Sequence, residues 1–280
     1  MAISPRKPLF LLLALVLLGP VRAEANPDIQ HWITTHGLKV YFVHAPQVPM
    51  LDIRLVFHAG SAYDGKHPGL AQLTSNLVGS GADGMDADAI AARFDAVGAQ
   101  FDTGALRDMA WVSLRSLNAP EYLDPSLSTL INLLAKPTFP QADYTRTLKQ
   151  MQVGLQAQEQ DPGAIADKAM MHALYGDHPY ASPPEGTMQS LKRIRRSDVA
   201  DYFRRYYVAR NGVLALVGAV DRAQAEKIAA RIGAALAEGK PAPALPPVPP
   251  LGKAQTIRIP YPSAQAHILI GQPGIRRGAP

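Results

Sequence analysis

Leu51, Ile53, Leu55 and Phe57 occupy every second position, with Asp52 and Arg54 among the residues between them. A period of two sends alternate side chains to opposite faces, so residues 51–57 are predicted to form a strand with one buried face. Upstream, Trp32, Ile33 and Thr34 and then Val40, Tyr41, Phe42 and Val43 flank a turn at His36 and Gly37, the pattern of a hairpin. Residues 69–76 (Gly-Leu-Ala-Gln-Leu-Thr-Ser-Asn) read as a helix between that strand and a glycine-rich exit at 79–84. A second helix is predicted over residues 87–97. Asp86 precedes it, and an Asp there can accept from free helix N–H groups. Gly98 ends it, because glycine takes the left-handed conformation readily. Residues 100–102 and 109–117 are predicted strands. In the latter, Trp111, Ser113 and Arg115 alternate with Val112, Leu114 and Ser116.

The period then lengthens. Leu123, Leu127, Leu130, Leu133 and Leu134 give residues 120–135 one apolar side, as an amphipathic helix requires. Residues 143–174 read as mostly helix, interrupted near Asp161-Pro162-Gly163. Residues 198–207 read as a helix opened by Asp198, and residues 213–217 as a short apolar strand. Residues 221–236 form an Ala-rich helix with Ile228 and Ile232 inward. This order suits an α+β fold, a mainly antiparallel sheet with helices packed on it. Between residues 239 and 252, Pro241, Pro243, Pro246, Pro247, Pro249 and Pro250 predict a stiff, extended linker.

The chain has 280 residues, 47% hydrophobic and 18% charged, ample for a packed core in one large domain or two smaller ones. Arg6 and Lys7 precede an apolar run over residues 9–18, followed by Ala23-Glu24-Ala25. That run is too short for the roughly 20 residues a membrane helix needs. The pattern is that of a cleaved secretory signal, residues 1–25. Export, a periplasmic location and no stable membrane insertion after cleavage are therefore expected. Cysteine is absent, so no disulfide contributes and stability must come from the core. Removing Arg6, Lys7, Arg22 and Glu24 with the signal takes the charge from +5 to 25 − 22 = +3. So mild an excess does not argue for a nucleic-acid partner. The basic run Lys192, Arg193, Arg195 and Arg196, followed by Arg204 and Arg205, reads as a solvated helix start and exposed faces.

Several short signatures recur in a fixed order. Gly60-Ser61 leads through Pro68-Gly69-Leu70-Ala71 into the first helix, and Phe94 through Val97-Gly98-Ala99 into the next strand. His178-Pro179-Tyr180 precedes Gly186, and residues 206–211 (Tyr-Tyr-Val-Ala-Arg-Asn) precede Val217-Gly218. Over residues 29–237 this order and spacing resemble the N-terminal half of the M16 peptidases, the pitrilysin, insulinase and mitochondrial-processing-peptidase family. The resemblance implies an M16-type half over residues 26–238 and an interdomain linker over 239–254. Residues 255–280 would then be the start of a truncated second half, with residues 255–271 as its first strand.

In active members the first helix carries His-x-x-Glu-His, an inverted zinc motif. The resemblance places Gln72 and Asn76 at the two ligand positions and Ser75 at that of the catalytic base. The third ligand, a Glu in active relatives, falls on Gly154, with Gln150 or Gln158 one turn either way. Zinc in a hydrolase takes about three protein donors plus a water. A neutral amide is a poor donor, and a serine unaided does not deprotonate zinc-bound water near neutral pH. No catalytic residue, no metal and no cofactor are therefore expected, zinc being the metal of the active relatives. Glu159, the one carboxylate between Thr145 and Gln160, would have to serve alone.

The strand after Gly98 matches an edge that in active relatives pairs with the substrate backbone. Strand addition uses main-chain groups and does not depend on the metal. Phe101, Asp102, Thr103, Gly104 and Ala105 are therefore candidates to hold an extended peptide. The competing expectation is an ordinary edge guarded by Asp102. The resemblance further implies a catalytically active M16 subunit as partner. The expected function is that of a non-catalytic subunit or homologue of an exported M16 peptidase. A zinc peptidase with atypical ligands and a stand-alone periplasmic binding protein are the alternatives. Among the eight histidines, His172 and His178 stand six apart, too far for one helical turn, and His178 is expected to play a hydrogen-bonding role. His58 and His67 flank a loop without ligand spacing. Ser75 lacks a Gly-x-Ser-x-Gly elbow, and residues 79–84 lack the Lys-Ser/Thr ending of a phosphate loop.

Overall fold

A computed structural model describes residues 27–275; the expected signal lies outside them. Among the described residues eight strands form: β1 (Gln30–Ile33), β2 (Lys39–His44), β3 (Met50–Phe57), β4 (Gly81–Ala82), β5 (Met85–Asp86), β6 (Gln100–Ala105), β7 (Ala110–Leu117) and β8 (Gly212–Gly218). Six build one sheet in the order β1-β2-β8-β3-β7-β6. Its neighbours are antiparallel except β2 and β8, which run parallel. The helices are α1 (Leu70–Leu77), α2 (Ala87–Asp95), α3 (Pro120–Ala135), α4 (Gln141–Gln158), α5 (Pro162–Tyr175), α6 (Met188–Leu191), α7 (Arg196–Tyr206) and α8 (Arg222–Ala235). An α+β arrangement of helices on a mainly antiparallel sheet is what the pattern predicts.

The alternation read from residues 51–57 sorts the sheet into two faces. Leu51, Ile53, Leu55 and Phe57 of β3 are buried with Val112 and Leu114 of β7, Leu214 and Leu216 of β8, and Val40 and Phe42 of β2. The helices meet this face: α3 packs on β7, α8 on β2, and α1 on β6 and β7. Leu127, Leu130 and Leu133 of α3 and Ile232 of α8 are fully buried there. The opposite face carries Tyr41, Arg54, Trp111, Arg115 and Val217, all exposed or half-buried.

Asp86 caps α2 as predicted, accepting from Ala89 N at 2.9 Å, and Gly98 sits at φ +62°. The long helix is interrupted at Asp161-Pro162-Gly163 as predicted, Asp161 capping α5 by accepting from Gly163 N. Three boundaries differ. The strand expected at 100–102 continues to Ala105 because β7 supplies a partner along its whole length. Asp198 lies inside α7 and bonds back to the Arg195 N–H at 2.7 Å. The turn over 79–84 is a tight two-stranded hairpin, with Asp83 and Gly84 at φ 49° and 82°.

The strand expected at 255–271 does not form. This stretch is extended and exposed, pairs with no sheet edge among the described residues, and leaves Ile270 95% exposed. A strand exists by virtue of a hydrogen-bonded neighbour, and none is beside it. The stretch lies along α5 instead, where the Tyr261 hydroxyl donates to Gln160 O at 2.7 Å. The preceding linker is docked. Ala242 N donates to Asn211 Oδ1 at 2.8 Å. His178 Nδ1 accepts from the Tyr180 N–H at 3.1 Å, which leaves Nε2 as the protonated nitrogen that donates to Pro246 O at 3.0 Å. His178 thus has the ordinary hydrogen-bonding role its turn predicts. Among the described residues no helix is long and apolar enough to cross a membrane.

Candidate functional site

Helix α1 starts at Gly69, whose φ of +94° suits glycine, and an added Cβ would meet Leu191 and the Glu185 carbonyl at 2.8 and 2.9 Å. Asp64 closes its first turn by accepting from Gly69 N and Ala71 N, both at 2.7 Å. The position suits an anion, since free N–H groups and the positive end of the helix dipole converge there. Asp64 is 5% exposed. Burial nonetheless pushes its carboxyl up to about 7, against the pull of the backbone N–H groups.

The three motif positions of α1 have separate fates. Gln72 is half-buried and Asn76 exposed, and Gln72 Nε2 donates to Asn76 Oδ1 at 2.9 Å. Whichever way the two amides are turned, this bond occupies one of the two oxygens that could face a cation. Ser75 is fully buried against the core, beside Tyr207. Burial raises the Tyr207 phenol and the neighbouring Ser75 hydroxyl pulls the other way, yet neither oxygen finds a partner of ordinary hydrogen-bond geometry. Tyr207 is held in place by stacking on Phe203 at 4.6 Å and by Phe57 at 4.9 Å. A base must reach water, and this position does not.

Helix α4 packs beside α1 and carries Gly154 on an exposed stretch, where an added Cβ would meet nothing within 4 Å. Gln150 and Glu159 are exposed, and Gln158 buries its Oε1 without a partner. No three His, Cys, Asp or Glu side chains gather anywhere among the described residues in a way that could hold a metal ion. His58 and His67 therefore join no such group. The residues present do not fit a zinc ion: two amides bonded to each other, a buried hydroxyl and a glycine are the donors on offer.

Phe101, Asp102, Thr103, Gly104 and Ala105 all lie on β6, the last strand of the sheet. Among the described residues β6 pairs only with β7, and its other edge is open. Toward the helices, Phe101 stacks on Phe94 at 5.1 Å, and the Thr103 hydroxyl donates to the main-chain oxygen of Ser75 at 2.9 Å. The candidate strand and the motif helix are thus brought together. Toward the uncovered face, Asp102 is exposed and its Oδ2 accepts from Trp111 Nε1 at 2.9 Å. The indole lies over Gly104, where a Cβ would stand 2.0 Å from Cζ2. The Arg54 guanidinium sits 5.0 Å from the Trp111 ring centre. Motif reading missed Trp111, Arg54 and Asp64. The alternation of Trp111, Ser113 and Arg115 already put the first on the open face; nothing local marks Asp64.

The insulinase family model, peptidase family M16, matches residues 39–188, and that of the peptidase M16 inactive domain matches residues 193–279. The chain belongs to the M16 peptidase family. This M16 chain superposes with a TM-score of 0.77 on the crystal structure of a peptidase M16 inactive domain from Pseudomonas fluorescens, at 42% identity over 78% of the chain and 53% of that protein. Pitrilysin shares the fold at a TM-score of 0.68 and 20% identity, over 81% of the chain and 25% of its own. Among curated relatives, an uncharacterized zinc protease of Rickettsia bellii is 25% identical over 73% of this chain and 50% of its own length. A non-peptidase homologue of Helicobacter pylori is 25% identical over 61% of this chain and 39% of its own length. The chain thus spans half or less of the length of these two relatives.

Proposed function

We propose that this chain is a non-catalytic M16 subunit that holds an extended peptide at the β6 edge beside a catalytically active M16 partner, in an exported, periplasmic setting. The observation that carries the reading is the Gln72–Asn76 amide bond where a zinc peptidase would present two ligands. Ser75, sealed in the core, and Gly154, without a side chain, support it. The match to the inactive-domain model and the likeness to a non-peptidase homologue agree with it. Peptide holding is supported by the open β6 edge, where strand addition requires main-chain groups alone.

Elemental analysis of the purified chain after dialysis against trace zinc tests the non-catalytic reading. A metal content near zero is expected. A full equivalent of zinc would overturn it and favour a peptidase with atypical ligands. Co-purification with a zinc-bearing M16 subunit tests the partner, and recovery of the chain alone would favour a stand-alone binding protein.

A further inference from the structure

We infer that the β6 edge selects a basic side chain, Lys or Arg, at the peptide position that lies beside Asp102 on the open face of the sheet. The inference rests on the peptide-holding reading of that edge and names the side-chain chemistry it prefers.

A strand added to β6 sends alternate side chains to the two faces of the sheet. Toward the helices, Phe101 and Thr103 are already engaged with Phe94 and Ser75. On the open face, Asp102 has the charged side chain of β6: Gln100 beside it is neutral, and Gly104 has no side chain, its place being filled by the Trp111 indole. The same indole fixes the carboxylate: Nε1 holds Oδ2, while Oδ1 accepts no hydrogen bond among the described residues.

No resident cation neutralises this group. Asp102 takes part in no ion pair among the described residues. Its cross-strand partner on β7 is Ser113, a neutral residue. Arg115 is committed to Asp52 through contacts of 2.6 and 3.0 Å, and Arg54 to the face of Trp111. The result is a pre-oriented, unpaired negative charge on the β6 edge, one of the two edges of the sheet. Residues directly opposite across strands stand about 4.5–5.5 Å apart at Cβ, close enough for opposite charges to attract and like charges to repel. The chain as a whole carries a net charge of +5, so non-specific attraction would favour acidic peptides, and a preference for basic ones must arise locally.

The test uses the full chain and three short acetylated peptides alternating Val with Lys, Ser or Glu, titrated by fluorescence anisotropy at fixed ionic strength. Lys–Val is expected to bind tighter than Ser–Val, and Ser–Val tighter than Glu–Val, by about two- to fivefold at each step. Asp102→Asn is expected to level the series and Asp102→Lys to invert it. Equal binding of all three by the unmodified chain would overturn the selection and leave the peptide edge standing. A Lys preference that persists in Asp102→Asn would overturn the role of Asp102. No binding of any peptide would remove the edge-strand reading and this inference with it.

Discussion

The Thr103 hydroxyl donates to the main-chain oxygen of Ser75 at 2.9 Å, so the edge strand and the motif helix are bonded directly to each other. Ser75 serves here through its carbonyl while its own hydroxyl is buried. The contact needs no metal and survives in a chain whose motif side chains cannot bind one. Thr103→Val keeps the shape and the β-branch but removes the donor. It is expected to cost about 1 kcal/mol, read as a lower urea midpoint with an unchanged slope.

Rebuilding the metal site should need three changes rather than four. Gln72 and Asn76 lie on the accessible side of α1, and Gly154 faces open space on α4. Gln72→His, Asn76→His and Gly154→Glu together supply three good donors, the number a zinc site requires. Zinc binding by calorimetry is expected in the triple variant. No peptidase activity should follow, because position 75 has no base. Adding Ser75→Glu puts a carboxylate into a fully buried position and should lower stability sharply. A triple variant that binds no zinc would show that α1 and α4 are not poised as a ligand pair.

Gly104 is required by its neighbour. A methyl there collides with the Trp111 ring 2.0 Å away, and pairing with β7 ties the strand backbone to the residue that carries that ring. Gly104→Ala is expected to destabilise by about 1–3 kcal/mol. In the background of Trp111→Ala the same change should cost much less, a coupling that a double-mutant cycle measures. Equal costs in both backgrounds would mean the indole is free to swing aside.

Asp64 makes stability depend on pH in an unusual direction for a carboxylate. Its folded value of about 7 lies above the ordinary unfolded value of roughly 3.9. The folded chain therefore holds the proton more tightly than the unfolded chain. The contribution is fully present below about pH 3.9 and is lost as pH rises through about 7, with a slope of at most about 1.4 kcal/mol per pH unit. Asp64→Asn should flatten the profile between pH 4 and 7 relative to the unmodified chain. Urea unfolding across that range checks it, and identical profiles would count against the assignment.

The sheet and its helices were legible because single elements announce themselves: alternation marks β3 and β7, and the leucines of α3 mark a helix face. The edge position of residues 101–105 came from family resemblance, since nothing local says which strand ends a sheet. Asp64, Trp111 and Arg54 were not legible as a group. Asp64 caps a helix that begins several residues later, and Trp111 meets Gly104 and Asp102 only after β6 and β7 pair in one register. The strand at residues 255–271 was implied by the resemblance alone, and a strand depends on a neighbour that this stretch does not have among the described residues.

The parallel pairing of β8 with β2 places residues 212–218 in the interior of the sheet, between β2 and β3, which do not bond to each other. Until that strand arrives, the chain holds a β1–β2 hairpin and a separate β3–β7–β6 ribbon, each with an open side. The sheet therefore closes only once residues 212–218 are in place, after every other strand among the described residues has been made.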